Sequence, residues 1–336
     1  MNPNAWVASG HVGGFSDPLV ECLSCNKRER VDNLVEEKSY REYVSLLVNV
    51  ALGMIREGEI KEMIGGEFLK KFENLKSDEK IAAIQGISRE SIKELEIHAG
   101  SHLFQTVEKA ISYTGSFAQA YLNKTTPCRQ CGKKNWGVPK QFNMMFKTQI
   151  GATDDASSVS YLRPETAGGM FVNYKNVMDS FHPKLPFGLG QIGKAFRNEI
   201  APRDFIFRVR ELEQMEIEYF VRPADWEVQF EHWRKEVWRF TEAVGLKKDH
   251  VHELEVADGD RAHYSKRTID FEFDFPFGCK ELYGLAYRTD FDLRSHQEGS
   301  KVDLTYFDEE TKERFLPHVI EPSFGVGRTL LAVLAE

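Results

Sequence analysis

One stretch of the sequence concentrates charges of both signs. It reads FRNEIAPRDFIFRVRELEQMEIEYF and covers residues 196–220. Arginine offers a planar guanidinium group that matches the oxygens of a phosphate, so Arg197 and Arg208 indicate an anion-binding site. Pro202 and Asp204 mark a loop between them, and two strands joined by this loop would form a hairpin with an arginine at each end.

A third arginine, Arg328, stands in the segment GVGRTLL at the predicted start of a helix. Backbone N–H groups and the helix dipole favour an anion at such a place. The tetrapeptide GVGR alone is a weak signal. The sequence holds no P-loop, and its G-x-G-x-x-G at residues 188–193 lies within the predicted strand before Arg197 and does not follow a strand, so it does not indicate the common nucleotide-binding folds.

Several acidic residues are predicted to stand in or beside the core. Glu216 and Glu218 share the polar face of a predicted strand whose other face is apolar, while Glu165 and Glu321 stand in apolar or turn-rich segments. Buried carboxylates need cationic partners. The ammonium group of a substrate would serve, and so would the arginines. A structural network of Arg–Glu ion pairs explains the same pattern.

Four of the five cysteines form two C-x-x-C pairs, CLSC and CRQC. In a reducing compartment such pairs indicate a tetrahedral zinc site, and a site closed by four sulfurs is structural. Two unrelated pairs are the alternative, because the pairs are far apart in the chain. The fifth cysteine, Cys279, is predicted to be a small core residue. The predicted zinc ligands are Cys22, Cys25, Cys128 and Cys131.

The elements that must position these residues indicate an α+β fold. Residues 214–221 and 269–277 alternate in polarity, as strands do. Apolar residues recur at helical spacing over 226–244, and Gly245 is a suitable stop. Strands without regular βαβ units favour an antiparallel sheet flanked by helices. Residues 31–127 are predicted to form a mainly helical insertion, closed at its base by the cysteine pairs.

Composition excludes several classes of protein. The chain has 336 residues and a net charge of -8, so any RNA contact must use a local basic patch. The sequence shows no apolar run of membrane-spanning length and no signal peptide, which predicts a cytoplasmic location. No Ser-His-Asp or Cys-His nucleophile pattern stands out, and His11, His182 and His318 are predicted to be structural.

Taken together, these segments resemble the glycyl-tRNA synthetases of the homodimeric type, a branch of the class II aminoacyl-tRNA synthetases. The stretch over residues 196–220 resembles the second signature motif of that class, and EPSFGVGRTLLAVL resembles the third. WVASGHVGGFSDPLVEC, FNMMFKTQIG, YLRPETAGGMFVNY and LAYRTDFDL resemble blocks of the glycyl branch. The resemblance is collinear over residues 5–30 and 128–336, which makes it more specific than any one motif.

The resemblance implies a ligase that activates glycine with ATP and Mg²⁺ and passes it to tRNA(Gly). It implies a class II catalytic core over residues 1–30 and 128–336, containing the tail of the first motif and the second and third motifs. The region 31–127 is then predicted to be an insertion, and an anticodon-binding domain is predicted to be absent. A homodimer is expected of the family, although the resemblance predicts that the segment that builds its interface is largely missing.

The resemblance also assigns roles to individual residues. Arg197 and Arg328 are the implied catalytic residues: Arg197 would hold the α-phosphate, while Arg328 and Arg208 would hold the outer phosphates. The implied ATP-binding residues are Arg197, Asn198, Glu199, Arg208, Val209, Arg210, Leu212, Glu281, Leu282, Gly325 and Arg328. The implied glycine-binding residues are Glu165, Gln214, Glu216, Glu321 and Ser323.

The sequence differs from the family pattern at three positions: Gly168 stands where glutamine is usual, Leu212 where phenylalanine stacks on adenine, and Tyr287 where asparagine is usual. The alternative function is a non-catalytic synthetase-like accessory protein or RNA-binding paralogue, or an inactive fragment. The phosphate-binding arginines are all present, which favours the enzyme.

Overall fold

A computed structural model describes residues 2–34, 119, 122–123, 125–151, 158–200, 202, 205–257, 261–262 and 264–336. The chain divides into two compact units, one comprising Met1–Ser16 and Asn143–Glu336 and the other comprising Asp17–Phe142. Most of the predicted helical insertion over 31–127 lies outside the described residues, and its helical content stays a prediction.

The helices and strands are numbered in chain order. The described helices are α1 (Pro3–Ala8), α2 (His11–Gly14), α3 (Val31–Leu34), α4 (Ala167–Phe181), α5 (Trp226–Ala243), α6 (Phe291–Ser300) and α7 (Val326–Ala335). The described strands are β1 (Ser16–Glu21), β2 (Arg28–Arg30), β3 (Lys140–Asn143), β4 (Lys147–Gln149), β5 (Val159–Tyr161), β6 (Phe187–Phe196), β7 (Glu211–Val221), β8 (Val251–Glu255), β9 (Arg267–Phe275), β10 (Gly278–Thr289), β11 (Tyr306–Phe307), β12 (Arg314–Phe315) and β13 (His318–Gly325).

A six-stranded sheet dominates the larger unit. Its strand order is β6-β7-β13-β10-β9-β8, and every neighbouring pair is antiparallel. The predicted α+β fold with an antiparallel sheet flanked by helices is confirmed. The predicted hairpin is present as β6 and β7, and the amide of Arg197 donates to the carbonyl of Arg210 at 3.0 Å where the strands leave the sheet.

Helix α5 packs on one face of this sheet, as its apolar spacing predicted. Phe230 and Val237 of the helix are fully buried in one core cluster with Phe271 and Phe273 of β9. Gly245 has a φ of 91°, the left-handed conformation in which glycine ends a helix without steric cost.

Strand β7 buries the face that was predicted to be polar. Glu216, Glu218 and Phe220 are all buried, and Phe220 is packed by Phe171 and Tyr174 of helix α4 at ring-centroid distances of 6.4 and 4.8 Å. The carboxylate face is therefore part of the core as well as the apolar face opposite. Helix α4 covers the carboxylate face, and alternation within one strand cannot reveal which faces other elements cover.

The smaller unit has its own core around Trp136, which is fully buried with Val20, Val31 and Leu122. Its three-stranded sheet has the order β2-β1-β3, and the indole N–H of Trp136 donates to the carbonyl of Thr126 at 2.7 Å. Across the described part of the chain, no helix combines the length and the apolar character that a membrane crossing requires.

Candidate active site and cysteine cluster

A row of residues from four neighbouring strands crosses one face of the large sheet. In this row, Glu216 lies opposite Gln191 on β6 and opposite Ser323 on β13, and Ser323 lies opposite Gly284 on β10. Residues opposite each other in antiparallel strands point to the same side of the sheet. The register therefore brings Glu216 and Ser323, both predicted glycine-binding residues, side by side. Glu321, two residues before Ser323 on β13, points to the same face.

A fully buried arginine, Arg288, organises the carboxylates. Its guanidinium group donates two hydrogen bonds of 2.8 Å to Asp292 and one of 2.8 Å to Glu321, and it lies 3.9 Å from Glu165. The guanidinium carbon also lies 3.8 Å from the ring centroid of Tyr264. Burial opposes the charge, but Asp292 and Glu321 hold the pKa of Arg288 well above its ordinary value. Sequence reasoning missed Arg288; the four-residue spacing to Asp292 was the available signal.

Glu165 is the carboxylate most clearly held in its ionised form. One oxygen lies 3.4 Å from Nε2 of His11, and Nδ1 of His11 lies 2.8 Å from the hydroxyl oxygen of Ser9. Burial raises the pKa of Glu165, but His11, Arg288 and Arg197 outweigh it and lower the value to about 2. His11 has the structural partners that were predicted, yet it also belongs to the carboxylate cluster.

Glu216 is bonded to the start of helix α4. One of its oxygens accepts hydrogen bonds from the amides of Thr166 and Ala167, at 2.8 and 2.9 Å, and from the Thr166 hydroxyl. A carboxylate at a helix N-terminus is stabilised by free N–H groups and by the helix dipole. Burial and the repulsion of Glu165 nevertheless give Glu216 a raised pKa, against these hydrogen bonds. Glu216 thus fixes the helix to the sheet with one oxygen.

The pocket holds more acids than cations. Burial, followed by repulsion from Glu216 and Glu165, raises the pKa of Glu321 to about 7, although Arg288 opposes the rise. Opposing carboxyl groups of this kind favour a further cation among them. The space beside them is narrow: a Cβ atom built on Gly284 would lie 3.1 Å from the Ser323 hydroxyl oxygen.

Arg197 lies at the end of β6, on the side of the carboxylate pocket. Its Nε donates to the carbonyl of Pro164 at 3.2 Å, and its guanidinium carbon lies 5.6 Å from the ring centroid of Phe15. It is also one of the charges that lower the pKa of Glu165. Asn198 follows it, and its amide donates to the carbonyl of Met144 at 2.7 Å. An arginine predicted to bind phosphate therefore adjoins an ionised glutamate.

Arg328 is a second basic residue beside the sheet, and it lies in the first turn of helix α7. It donates to the carbonyl of Glu281 at 3.1 Å, lies 3.1 Å from the carboxylate of the same residue, and stands over the ring of Phe207 at 5.0 Å. Asp270, opposite Gly284 on β9, is nearby. Burial, then repulsion from Glu281 and Glu272, raises its pKa to about 6.

The remaining predicted residues occupy three kinds of position. Arg210 braces the loop, because its Nε donates to the carbonyl of buried Glu199 at 3.0 Å. Leu282 is buried in the core, so only its backbone can face a ligand. The partly exposed positions on or beside β7 and before α7 are Arg208, Val209, Leu212, Gln214 and Gly325.

For two of the three residues that differ from the family pattern, the structure shows what the residue packs against. A Cβ atom on Gly168 would lie 2.7 Å from the buried ring of Trp6, so glycine leaves the space that this tryptophan fills. Tyr287 stacks on Trp226 with centroids 4.0 Å apart, and its hydroxyl contacts Nδ1 of His318. Tyr287 is therefore a packing residue.

The two cysteine pairs come together in the smaller unit. The four Sγ atoms lie within 4.8 Å of one another, and two pairs of them, Cys22 with Cys131 and Cys25 with Cys128, are 3.7 Å apart. That spacing excludes disulfides, whose S–S bond is about 2.05 Å. It matches a tetrahedron with zinc–sulfur bonds of about 2.3 Å, whose edges are about 3.8 Å.

The two C-x-x-C turns are built alike. In each, the first cysteine amide donates to the carbonyl five residues later, to Lys27 at 2.8 Å and to Lys133 at 2.9 Å. Asn26 and Gly132 occupy the same place in the two turns, have φ values of 59° and 70°, and donate back to the first cysteine carbonyl at 2.8 Å. Both turns thus aim two sulfurs at one point.

Cys279 is exposed, so the prediction that it is a core residue is wrong. It stands opposite Asp274 at the open end of β10, where the sheet face is in solvent. Phe277 likewise lies beyond the end of β9 and is 52% exposed, outside the row of buried phenylalanines that ends at Phe275. In the sequence, the alternation of polar and apolar residues continues to Phe277, but strand β9 ends at Phe275.

Residues 146–336 match the family model described as tRNA synthetase class II core domain (G, H, P, S and T). The match covers more than half of the 336 residues, and the chain belongs to this family.

Among curated proteins, the chain is 41% identical over its whole length to the glycine–tRNA ligases of Acetivibrio thermocellus and Clostridium tetani. It is also 41% identical to that of Lachnospira eligens. The chain spans about 60% of the length of these relatives. Among solved structures, prolyl-tRNA synthetase from Giardia lamblia in complex with prolyl-adenylate matches with a TM-score of 0.47 and 17% identity, over 57% of this chain and 37% of that one.

Proposed function

We propose that this chain activates glycine with ATP and transfers it to tRNA(Gly). The observation that carries the proposal is the junction of Arg197 with the carboxylate pocket. An ionised Glu165 lies within the field of Arg197, so a site for an ammonium group adjoins a site for a phosphate. An amino acid held by its ammonium group would present its carboxylate toward the phosphate. The whole-length similarity to glycine–tRNA ligases supports the same reaction.

In the glycine pocket, Glu165, Glu216 and Glu321 would surround the ammonium group, with Ser323 and Gln214 beside it. Their excess of acid over base suits a cation, and Arg288 fixes Glu321 while leaving the pocket net acidic. The close approach of Gly284 to Ser323 limits the room for a side chain. The pocket would therefore prefer the smallest amino acid.

In the nucleotide site, Arg197 would bind the α-phosphate, and Arg208 and Arg328 the outer phosphates. Glu199 would accept a hydrogen bond from the adenine amino group, and Leu212 would lie beside the ring. Asp270, with Glu272 and Glu281 opposite each other on β9 and β10, offers the carboxylate oxygens that Mg²⁺ prefers. The ion would supply charge neutralisation for the phosphates when bound.

The chain's own residues would act by orientation and electrostatics. The carboxylate oxygen of glycine attacks the α-phosphorus, and the bond to the bridging oxygen breaks as pyrophosphate leaves. No protein nucleophile and no proton transfer is required in this step, and Arg197 offsets the charge that develops on the α-phosphate oxygens. The tRNA 3′ hydroxyl would then attack the glycyl carbonyl, the bond from that carbonyl to the phosphate oxygen would break, and the hydroxyl proton would pass to the phosphate of the departing AMP.

The cysteine cluster would bind one structural zinc ion. Four sulfurs complete a tetrahedral site and leave no position for a substrate, so the ion would stabilise the smaller unit and take no part in the reaction. A homodimer and a cytoplasmic location are proposed on the basis of the family resemblance and of cysteines suited to a reducing compartment.

The decisive experiment is ATP–pyrophosphate exchange measured with a panel of amino acids. Exchange with glycine far above that with alanine or serine is expected. Absence of exchange with every amino acid, at high protein concentration, would refute activation by this chain and favour a non-catalytic function.

The same assay on Arg197→Ala should show at least about a hundredfold loss, the scale seen when one stabilising donor is removed, with an unchanged unfolding transition. Unfolding of the variant would instead support a purely structural ion-pair network.

A further inference from the structure

Glu218 is a buried acid that the proposed reaction does not use. It follows Glu216 by two residues on the same face of β7, and its side chain is fully buried. Neither of its carboxyl oxygens has a hydrogen-bond partner among the described residues. An ionised carboxylate without a partner is costly to bury, and proteins normally keep such a group neutral.

The strand register supplies a second reason. Tyr219 lies opposite Ile320 and Glu216 lies opposite Ser323, so counting along the two antiparallel strands places Glu218 opposite Glu321. Side chains in this relation have Cβ atoms about 4.5–5.5 Å apart, and like charges there are destabilising. Two buried carboxyl groups that face each other in this way are not readily ionised together, so one of them tends to keep its proton.

The surroundings determine which member of the pair holds that proton. Glu321 accepts a hydrogen bond of 2.8 Å from Arg288, whereas Glu218 has no such donor among the described residues. The charged groups that act on Glu218 are Glu216 on its own strand, Glu321 on β13, Arg288 on β10 and Asp292 on α6, and three of these four are acids. Burial and then Glu321 raise the pKa of Glu218 well above its ordinary value.

We propose that Glu218 is a protonated, neutral positioning residue that supports Glu321, a role that rests on the proposed glycine pocket. Because protonated Glu218 is neutral, it adds no further negative charge beside Glu321. The O–H group of Glu218 is also a hydrogen-bond donor on the strand next to the Glu321 carboxylate. Such a donor leaves the hydrogen bond from Arg288 to Glu321 intact. Glu321 is then held for an ammonium group by a cation on one side and a neutral donor on the other.

Infrared spectroscopy tests the protonation directly, because a carboxylic acid has a carbonyl stretching band that a carboxylate lacks. The spectrum is recorded without substrates at about pH 8, above the pKa of about 7 for Glu321 and about 6 for Asp270. The acid band should be present in the native chain, retained in Glu213→Gln, the same change at an exposed position of the same strand, and weakened in Glu218→Gln. Glu216→Gln identifies any part of the band that comes from Glu216, whose pKa is also raised. A native chain without the band, or a Glu218→Gln variant that keeps it at full intensity, overturns the proposal.

Kinetics test the positioning role. Glutamine is neutral and keeps a donor, whereas leucine is neutral without one, so the KM for glycine in pyrophosphate exchange should be at least about tenfold higher in Glu218→Leu than in Glu218→Gln. The change in kcat should be smaller. Equal KM values in the two variants would refute the donor role. If the leucine variant does not fold, the spectra still decide on protonation. Absence of exchange in the native chain would refute the glycine function and leave the infrared result standing.

Discussion

The cysteine cluster and the carboxylate pocket both gather groups that would carry like charges, but they do so in different ways. The cluster is made of two nearly identical four-residue turns, each fixed by its own backbone hydrogen bonds. The pocket takes Glu216, Glu321 and Asp292 from β7, β13 and α6 of the larger unit, and Glu165 from the loop before α4.

The two regions also differ in how their charge is balanced. The thiolates of the cluster would be neutralised by an ion taken from solution, which the chain itself does not contain. The carboxylates of the pocket are partly neutralised by Arg288, a cation built into the sheet. Local turns can thus preform a site for an external ion, whereas a built-in cation needs the tertiary fold. Five predictions test this contrast and the packing beside the pocket, from the largest expected effect to the smallest.

Removing one cysteine from each turn should have the largest effect. The double substitution Cys22→Ser with Cys128→Ser should reduce bound zinc from about one per chain to none. It should also unfold the described part of the smaller unit, because structural zinc contributes on the order of 10 kcal/mol to folding. Metal analysis and limited proteolysis within residues 17–142 measure the two outcomes.

Cys279→Ser is the control, since this thiol is exposed and lies outside the cluster. A native chain with much less than one zinc per molecule would refute the four-sulfur site.

Removing the built-in cation should have the next largest effect. Arg288→Ala leaves Asp292 and Glu321 buried without their partner, which should lower the free energy of unfolding by about 3–5 kcal/mol in denaturant titrations. Arg294→Ala is a matched control, because Arg294 pairs with Asp290 at the same four-residue separation but is exposed. Its loss should be below about 1 kcal/mol. Equal losses in the two variants would contradict the organising role of Arg288.

A smaller effect is expected where Trp6 fills the space beside helix α4. Gly168→Ala places a Cβ atom 2.7 Å from the Trp6 ring, and such overpacking should cost about 1–3 kcal/mol of unfolding free energy. Gly13→Ala adds the same atom in open space and should change stability little. If Gly168→Ala were as stable as the native chain, Trp6 would not be what requires glycine at this position.

The smallest effect is a difference in the pH dependence of stability. The pKa of Glu321 is raised to about 7 in the folded chain, so between about pH 4.5 and 7 the folded state binds more protons than the unfolded state. Its contribution to stability is therefore lost as the pH rises through this window. Glu321→Gln should remove this slope, which denaturant titrations at several pH values would measure.

Glu165 provides the opposite sign within the same pocket. Its pKa is lowered to about 2, so its stabilising contribution is present above about pH 4.5 and is lost as the pH falls toward 2. Glu165→Gln should therefore flatten the acid limb. It should also make the neutral limb shallower, because the Glu165 charge is one of those that raise the pKa of Glu321. A single slope affected equally by both substitutions would show that the two carboxyls titrate as one coupled group.

Much of the frame was predictable from local pattern. Alternation predicted β7 and β9, helical spacing predicted α5, and Gly245 ends that helix in the conformation expected of it. These predictions succeeded because each depends on residues within one element. The burial of Glu218 and the exposure of Phe277 were not predictable in this way, because each depends on what another element covers.

The sequence by itself determined the family, several strands and helices of the core, the two C-x-x-C turns and the presence of phosphate-suited arginines. These follow from residue types at short spacing, where backbone geometry alone sets which groups are neighbours. Only the tertiary structure decided that Arg288 is the buried counter-ion, that Glu216 is bonded to the start of α4, and that Glu218 faces Glu321. Protonation and partner choice there depend on burial and on charges from other strands, which no local stretch of sequence contains.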